Sequence, residues 1–220
     1  MKYKSVFDII GPVMIGPSSS HTAGAARIGR VARNLFGGKP ETAEITFYGS
    51  FAKTYRGHGT DVAIVGGILD FDTDDERIVN SLQHARAEGI NVRIKEADDL
   101  TDHPNTAKVV LVNEDNRMEL TGISIGGGKI EIIELDGFEL RVSGNTPAIT
   151  VIHHDRYGCI ANVAAVIAKH QLNIGHMDVS RKDKGQKALM TIEVDHDIEE
   201  EVMKEIRELP NIVQVSKIVE

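Results

Sequence analysis

The sequence predicts an α+β protein built from two domains: an α/β domain over residues 1–146 and a smaller ferredoxin-like βαββαβ domain over 148–220. Three observations carry that expectation. Helical hydrophobic spacing dominates the first stretch. Strand-like alternation replaces it from Ile90 onward. Ser143-Gly144-Asn145-Thr146-Pro147 then interrupts the pattern with turn-forming residues before a compact second order begins.

The first helix follows Ser20-His21-Thr22, because Ala25, Ile28, Ala32 and Leu35 share one face and Gly37-Gly38 supply a stop. Residues 44–49 alternate as a strand with Ile45 and Phe47 on one side. A second helix starts near Thr60-Asp61 and runs through Val65 and Leu69, with 49–59 read as the loop before it. A third covers 74–88, with Ile78, Leu82 and Ala85 together. Strands follow at 91–95, 108–113, 117–121, 129–134 and 138–142, joined by turns at Asn113-Glu114-Asp115-Asn116 and Asp136-Gly137. Helices preceding an antiparallel run of strands favour α+β over a doubly wound sheet. After Pro147 come strand 148–154, helix 159–170, strands 175–182 and 188–195, helix 199–209 and strand 212–218. The inner face of the helix from Cys159 is assigned to Ile160, Val163, Ala164 and Ile167.

The chain has 220 residues, 41% of them apolar, a formal charge of −8 and no Trp. An acidic balance excludes a nucleic-acid or anionic-membrane surface, which needs a basic footprint. No segment approaches the apolar length of a membrane span, and the N-terminus lacks a secretory pattern, so a cytoplasmic location is expected. The single cysteine, Cys159, excludes an internal disulfide and any cluster held by several thiolates of this chain.

Gly16-Pro17-Ser18-Ser19-Ser20-His21-Thr22 places three hydroxyls, an imidazole and a fourth hydroxyl where a helix begins. Backbone N–H groups there lack internal partners and the dipole favours negative charge, so a small anion such as a carboxylate fits. The plain alternative is an N-cap, which one Ser satisfies. A hydrolase reading of the same residues fails, because adjacent residues rarely form a nucleophile–base pair and no Gly-x-Ser-x-Gly elbow exists. Gly49-Ser50 and then Gly57-His58-Gly59-Thr60-Asp61 form a second signal. A histidine flanked by glycines is uncrowded and titrates near neutrality, as a general base must. It could equally be a surface histidine beside a helix cap. Ser124-Ile125-Gly126-Gly127-Gly128 reads as a hairpin loop, lacking dinucleotide or P-loop spacing. His153-His154 is rejected as a metal pair, since neighbours on a strand point to opposite faces. Asp155-Arg156-Tyr157-Gly158 joins a strand to a helix.

The segments 16–22, 57–61 and 124–128 together resemble the iron–sulfur L-serine dehydratases, and 148–220 resembles an ACT domain, with Tyr157 where many have Pro. The resemblance spans essentially the whole chain but leaves out the family's cysteine-bearing catalytic domain. It therefore implies the beta subunit of the two-subunit form, paired with an alpha subunit that carries the 4Fe-4S cluster. The implied reaction takes L-serine to pyruvate and ammonia without pyridoxal phosphate. An open iron of the partner's cluster would polarise the serine hydroxyl. By resemblance His58 is the base, Ser18, Ser19, Ser20 and His21 hold the carboxylate, Thr60 assists them, and the ACT domain allows self-association. The rival expectation is a purely regulatory serine-sensing module without catalytic residues.

Overall fold

The computed structural model describes residues 12–144 and 146–218; Gly11, the segment before it, and Asn145 of the interdomain punctuation lie outside the described residues. The chain divides into two compact units, Met1–Asp136 and Gly137–Glu220.

In the first unit a π-helical turn, Ser19–Ala23, leads into α1, Gly24–Phe36. Ala25, Ile28, Ala32 and Leu35 are all buried, as their spacing requires. Gly37 closes the helix at φ 73°, a left-handed cap that glycine adopts without strain. Strand β1, Thr42–Tyr48, buries Ala43, Ile45 and Phe47 and leaves the alternate residues half-buried.

The segment expected to be a loop is instead a helix, α2, Gly49–His58. Its composition gives little helical signal, with glycine at 49, 57 and 59. Tertiary packing overrides propensity here. Phe51 and Tyr55, one helical turn apart, are buried against Phe47 with ring centroids 5.9 and 5.3 Å away. Gly59, at φ 67°, then breaks the axis before α3, Thr60–Ile68. His58 is thus the last residue of a helix rather than a member of a strand-to-helix loop.

The helix expected over 74–88 is also corrected. A 3-10 turn, Glu76–Asn80, precedes α4, Ser81–Ala87. Three residues per turn instead of 3.6 shifts the phase of the buried face. Ile78 and Ala85 stay buried, but Leu82 turns outward at 37% exposure. Ser81 takes the inward place and donates its hydroxyl to Val62 O at 2.6 Å.

Strands β2, Asn91–Ala97, β3, Thr106–Val112, β4, Arg117–Gly126, and β5, Lys129–Leu135, complete this unit in the order β2-β1-β3-β4-β5. The pairs β1–β3, β3–β4 and β4–β5 are antiparallel. Strand β2 departs from the expected antiparallel run by lying parallel to β1. A parallel pair needs a crossover, which α2, α3 and α4 supply.

The second unit opens with β6, Phe138–Val142, then β7, Ala148–His154, α5, Cys159–Lys169, β8, Ile174–Arg181, β9, Lys187–Val194, α6, Glu200–Arg207, and β10, Ile212–Ile218. Its four-stranded sheet has the order β10-β7-β9-β8 with antiparallel pairs throughout, the ferredoxin-like plan expected. Ile149, Val151, Val163, Ile167, Met190, Ile192, Val202 and Ile206 build the core between sheet and helices. Ile160 lies outside it. It is 46% exposed, because the left-handed Gly158 cap starts α5 with Cys159 facing inward. His153 is buried while its neighbour His154 is exposed, which keeps the two imidazoles on opposite faces.

Candidate functional site

The site is assembled at the start of α1. Ser18 is extended, at φ −142° and ψ 122°, and caps the π-helical turn by accepting from His21 N at 3.2 Å. The same Ser18 Oγ lies 3.3 Å from His21 Nδ1. The turn is held by Thr22 N donating to Ser18 O at 2.8 Å and by Gly24 N donating to Ser19 O. Such π-helical turns recur at functional sites. Here the turn carries His21.

The other imidazole nitrogen, His21 Nε2, stands 3.1 Å from Ser50 Oγ in the first turn of α2. Phe51 meets the His21 ring edge-on at 5.3 Å. At the far end of α2, the His58 ring lies 4.7 Å from that of His21 at 57°. Thr22 Oγ1 donates to His58 O at 3.2 Å, tying the end of α2 to the turn. His58 Nδ1 is shut off from solvent without a partner among the described residues.

The structure therefore brings Ser18, His21 and His58 together. The capping alternative holds for Ser18 alone. Ser19 and Ser20 flank it half-buried. Thr60, the first residue of α3, is fully buried with its hydroxyl unpartnered. The expected hairpin loop is one: Gly126, Gly127 and Gly128 turn it with φ 102°, 63° and 76°. It is nevertheless folded onto the helix start. A Cβ on Gly24 would collide with the Ser124 side chain, and Arg27 Nη1 donates to Gly128 O at 3.0 Å. Ser124 Oγ is buried and unpartnered. Ser50 and Ser124 fall within the sequence motifs, but neither is given a role in the site from sequence alone. The only trace of Ser50 is a serine placed directly after a strand and a glycine.

Burial and then the nearby His58 push the His21 pKa below its ordinary 6.5, so the ring is neutral at pH 7. A lowered folded-state pKa means the unfolded chain binds protons more readily as pH drops below 6.5. Stability is thus complete above that value and declines as pH falls toward the lowered pKa. We expect urea midpoints measured from pH 7.5 down to 5 to fall less steeply for His21→Gln than for the unsubstituted chain. Equal slopes would show that His21 is not the group responsible.

The chain is thus a two-unit α+β protein, with hydroxyls and imidazoles gathered at a helix start in the first unit and a ferredoxin-like plan in the second. Residues 148–211 match the ACT domain model. Residues 5–134 match the model of the serine dehydratase beta chain, and the chain belongs to that family. It is 66% identical over 218 residues to the probable L-serine dehydratase beta chain of Bacillus subtilis, covering 99% of each. With the L-serine dehydratase beta chain of Peptoniphilus asaccharolyticus it shares 36% identity over 205 residues, 92% of each. The D-3-phosphoglycerate dehydrogenase of Methanocaldococcus jannaschii is 27% identical over 88% of this chain and 37% of that protein. No helix among the described residues is long and apolar enough to cross a membrane.

Proposed function

We propose that this chain acts with an alpha subunit to convert L-serine to pyruvate and ammonia, and that it supplies the base and the carboxylate-binding groups. The paired imidazoles carry the reading: two histidines with centroids 4.7 Å apart, bracketed by serine hydroxyls at a helix start, suit a ligand that is both anionic and acidic at carbon. An amino acid carboxylate beside a Cα–H is such a ligand.

His58 Nδ1 is enclosed, so Nε2 is the nitrogen left to take the Cα proton. Ser19, Ser20 and the helix-start N–H groups hold the carboxylate, while Ser18 orients His21. Donors fixed on the carboxylate also stabilise charge as it develops on the adjacent carbon. Loss of the β-hydroxyl as water leaves an enamine, which becomes an imine and hydrolyses to pyruvate and ammonia. The unpartnered Thr60 and Ser124 hydroxyls lie in the same unit, and buried donors of this kind normally find a ligand or water.

The 4Fe-4S cluster proposed for this enzyme does not fit the residues of this chain. Its single cysteine, Cys159, is buried in the second unit with Sγ donating to His154 O at 3.4 Å. In this reading the cluster, which is held by several thiolates, is carried by the alpha subunit. The purified chain is accordingly expected to be colourless and inactive. Anaerobic co-expression with the alpha subunit is expected to give a brown complex that forms pyruvate from serine. Serine turnover by the chain alone would overturn the reading.

A further inference from the structure

We propose that Ser50 is a substrate-positioning residue, its hydroxyl held by His21 so that its own proton is presented to the substrate carboxylate. The inference rests on the dehydratase reading and adds a residue to it. Ser18 Oγ already accepts from His21 N at 3.2 Å and lies 3.3 Å from His21 Nδ1. In the proposed arrangement the Ser18 hydroxyl, which has one proton, gives it to Nδ1. With Nδ1 accepting, a neutral His21 carries its ring proton on Nε2 and donates it to Ser50 Oγ at 3.1 Å. Having accepted, the Ser50 oxygen directs its own proton away from the imidazole.

The backbone around Ser50 strengthens the point. Ser50 N donates to Pro104 O at 2.7 Å and Phe51 N to the same oxygen at 3.4 Å, so those helix-start donors are already engaged. The Pro104 backbone sits so close to Gly49 that a Cβ there would lie 2.6 Å from Pro104 O. What Ser50 has left for a ligand is its hydroxyl. Those engaged N–H groups offer it no capping role. Instead it reaches 29 residues back in sequence to His21. Ser18, His21 and Ser50 thus form a relay that fixes one tautomer and one hydroxyl direction, the kind of preorganisation that an anion site in a partly dry setting needs.

Two measurements test this, one of them without turnover. Nitrogen-15 spectra of the full chain labelled at histidine should show His21 protonated on Nε2, and Ser50→Ala should give mixed tautomers. In the assembled alpha–beta enzyme, Ser50→Ala should raise the KM for serine roughly ten- to hundredfold, the span expected when a hydrogen bond to a charged group is lost. The kcat at saturating serine should stay within a few-fold, because uniform binding is what is removed. Ser50→Thr should restore most of the KM. If Ser50→Ala does not assemble, Ser50→Cys, close in size but a weak donor, should show the same rise. An unchanged KM with a lowered melting temperature would make Ser50 structural and overturn the proposal. A His58→Asn control separates the two readings. If His58→Asn abolishes turnover while Ser50→Ala leaves KM unchanged, only the Ser50 proposal falls. If His58→Asn keeps full chemistry while Ser50→Ala still raises the KM, the base role of His58 falls and the Ser50 proposal stands.

Discussion

Replacing His58 with Asn is expected to cut single-turnover pyruvate formation at saturating serine by roughly 10²–10⁴-fold, the usual contribution of a general base. Asn retains much of the size and polarity but accepts no proton at neutral pH. Assembly with the alpha subunit and the visible spectrum of the complex should be preserved, because the tie from Thr22 Oγ1 reaches the backbone oxygen of His58 rather than its ring. Exchange of the serine Cα proton with solvent should fall in parallel, which places the defect at proton abstraction. A sensing histidine behaves differently: its loss shifts activation or cooperativity, and saturating serine restores most of the rate. Near-normal chemistry and exchange in His58→Asn would remove the residue from the base role and leave His21 or a group of the partner as the acceptor.

The elements legible in the sequence are those whose signal is local and periodic. The helix from Gly24 to Phe36 has an apolar stripe and a glycine stop. The second unit shows its order in alternating strands and short turns. By contrast α2 reads as a loop, because its two anchors, Phe51 and Tyr55, are too few to make a stripe and become helical through contact with Phe47. Leu82 and Ile160 point inward on a helical wheel because the wheel assumes constant phase, and a 3-10 turn or a left-handed cap resets it. The parallel pairing of β2 depends on a crossover that no window of the sequence contains.

The site divides in the same way. Ser18 and His21 sit in one contiguous run, so their chemistry can be read from spacing, and the glycines beside His58 draw attention to it. The meeting of His21 with Ser50, and of Gly24 with Ser124, joins residues far apart in sequence and leaves no local trace. Only the folded arrangement shows that both ring nitrogens of His21 are engaged, by Ser18 and by Ser50.

The crossing of α1 and α3 is expected to be the most sensitive packing point of the first unit. A Cβ on Gly67 would run into Ala26 O and lie 2.7 Å from Arg30 N, while one on Gly29 would run into Ile64 O. Each helix therefore presses its glycine against the other's backbone, and no side-chain rotation relieves a contact of that kind. Gly67→Ala gains helix propensity worth up to about 1 kcal/mol. It must also push the packed backbones away from each other, which places it at the upper end of the roughly 1–3 kcal/mol cost of overpacking. The net effect is destabilising, seen as a lower urea midpoint of the isolated chain. Gly66→Ala is the matched control. Its nearest neighbour is Ile78 Cγ1 at 2.9 Å, a buried side-chain carbon rather than backbone, so the overlap is smaller and the expected loss is less than at Gly67. The consequence should reach the site as well. The turn carrying His21 leads into α1, and His58 lies two residues before α3, so helices forced apart at Gly67 also separate the two imidazoles. In the assembled enzyme Gly67→Ala should therefore lower kcat more than Gly66→Ala does, even at a temperature where both are fully folded. Equal urea midpoints for the two variants would show that the backbone contact is not what holds the helices together.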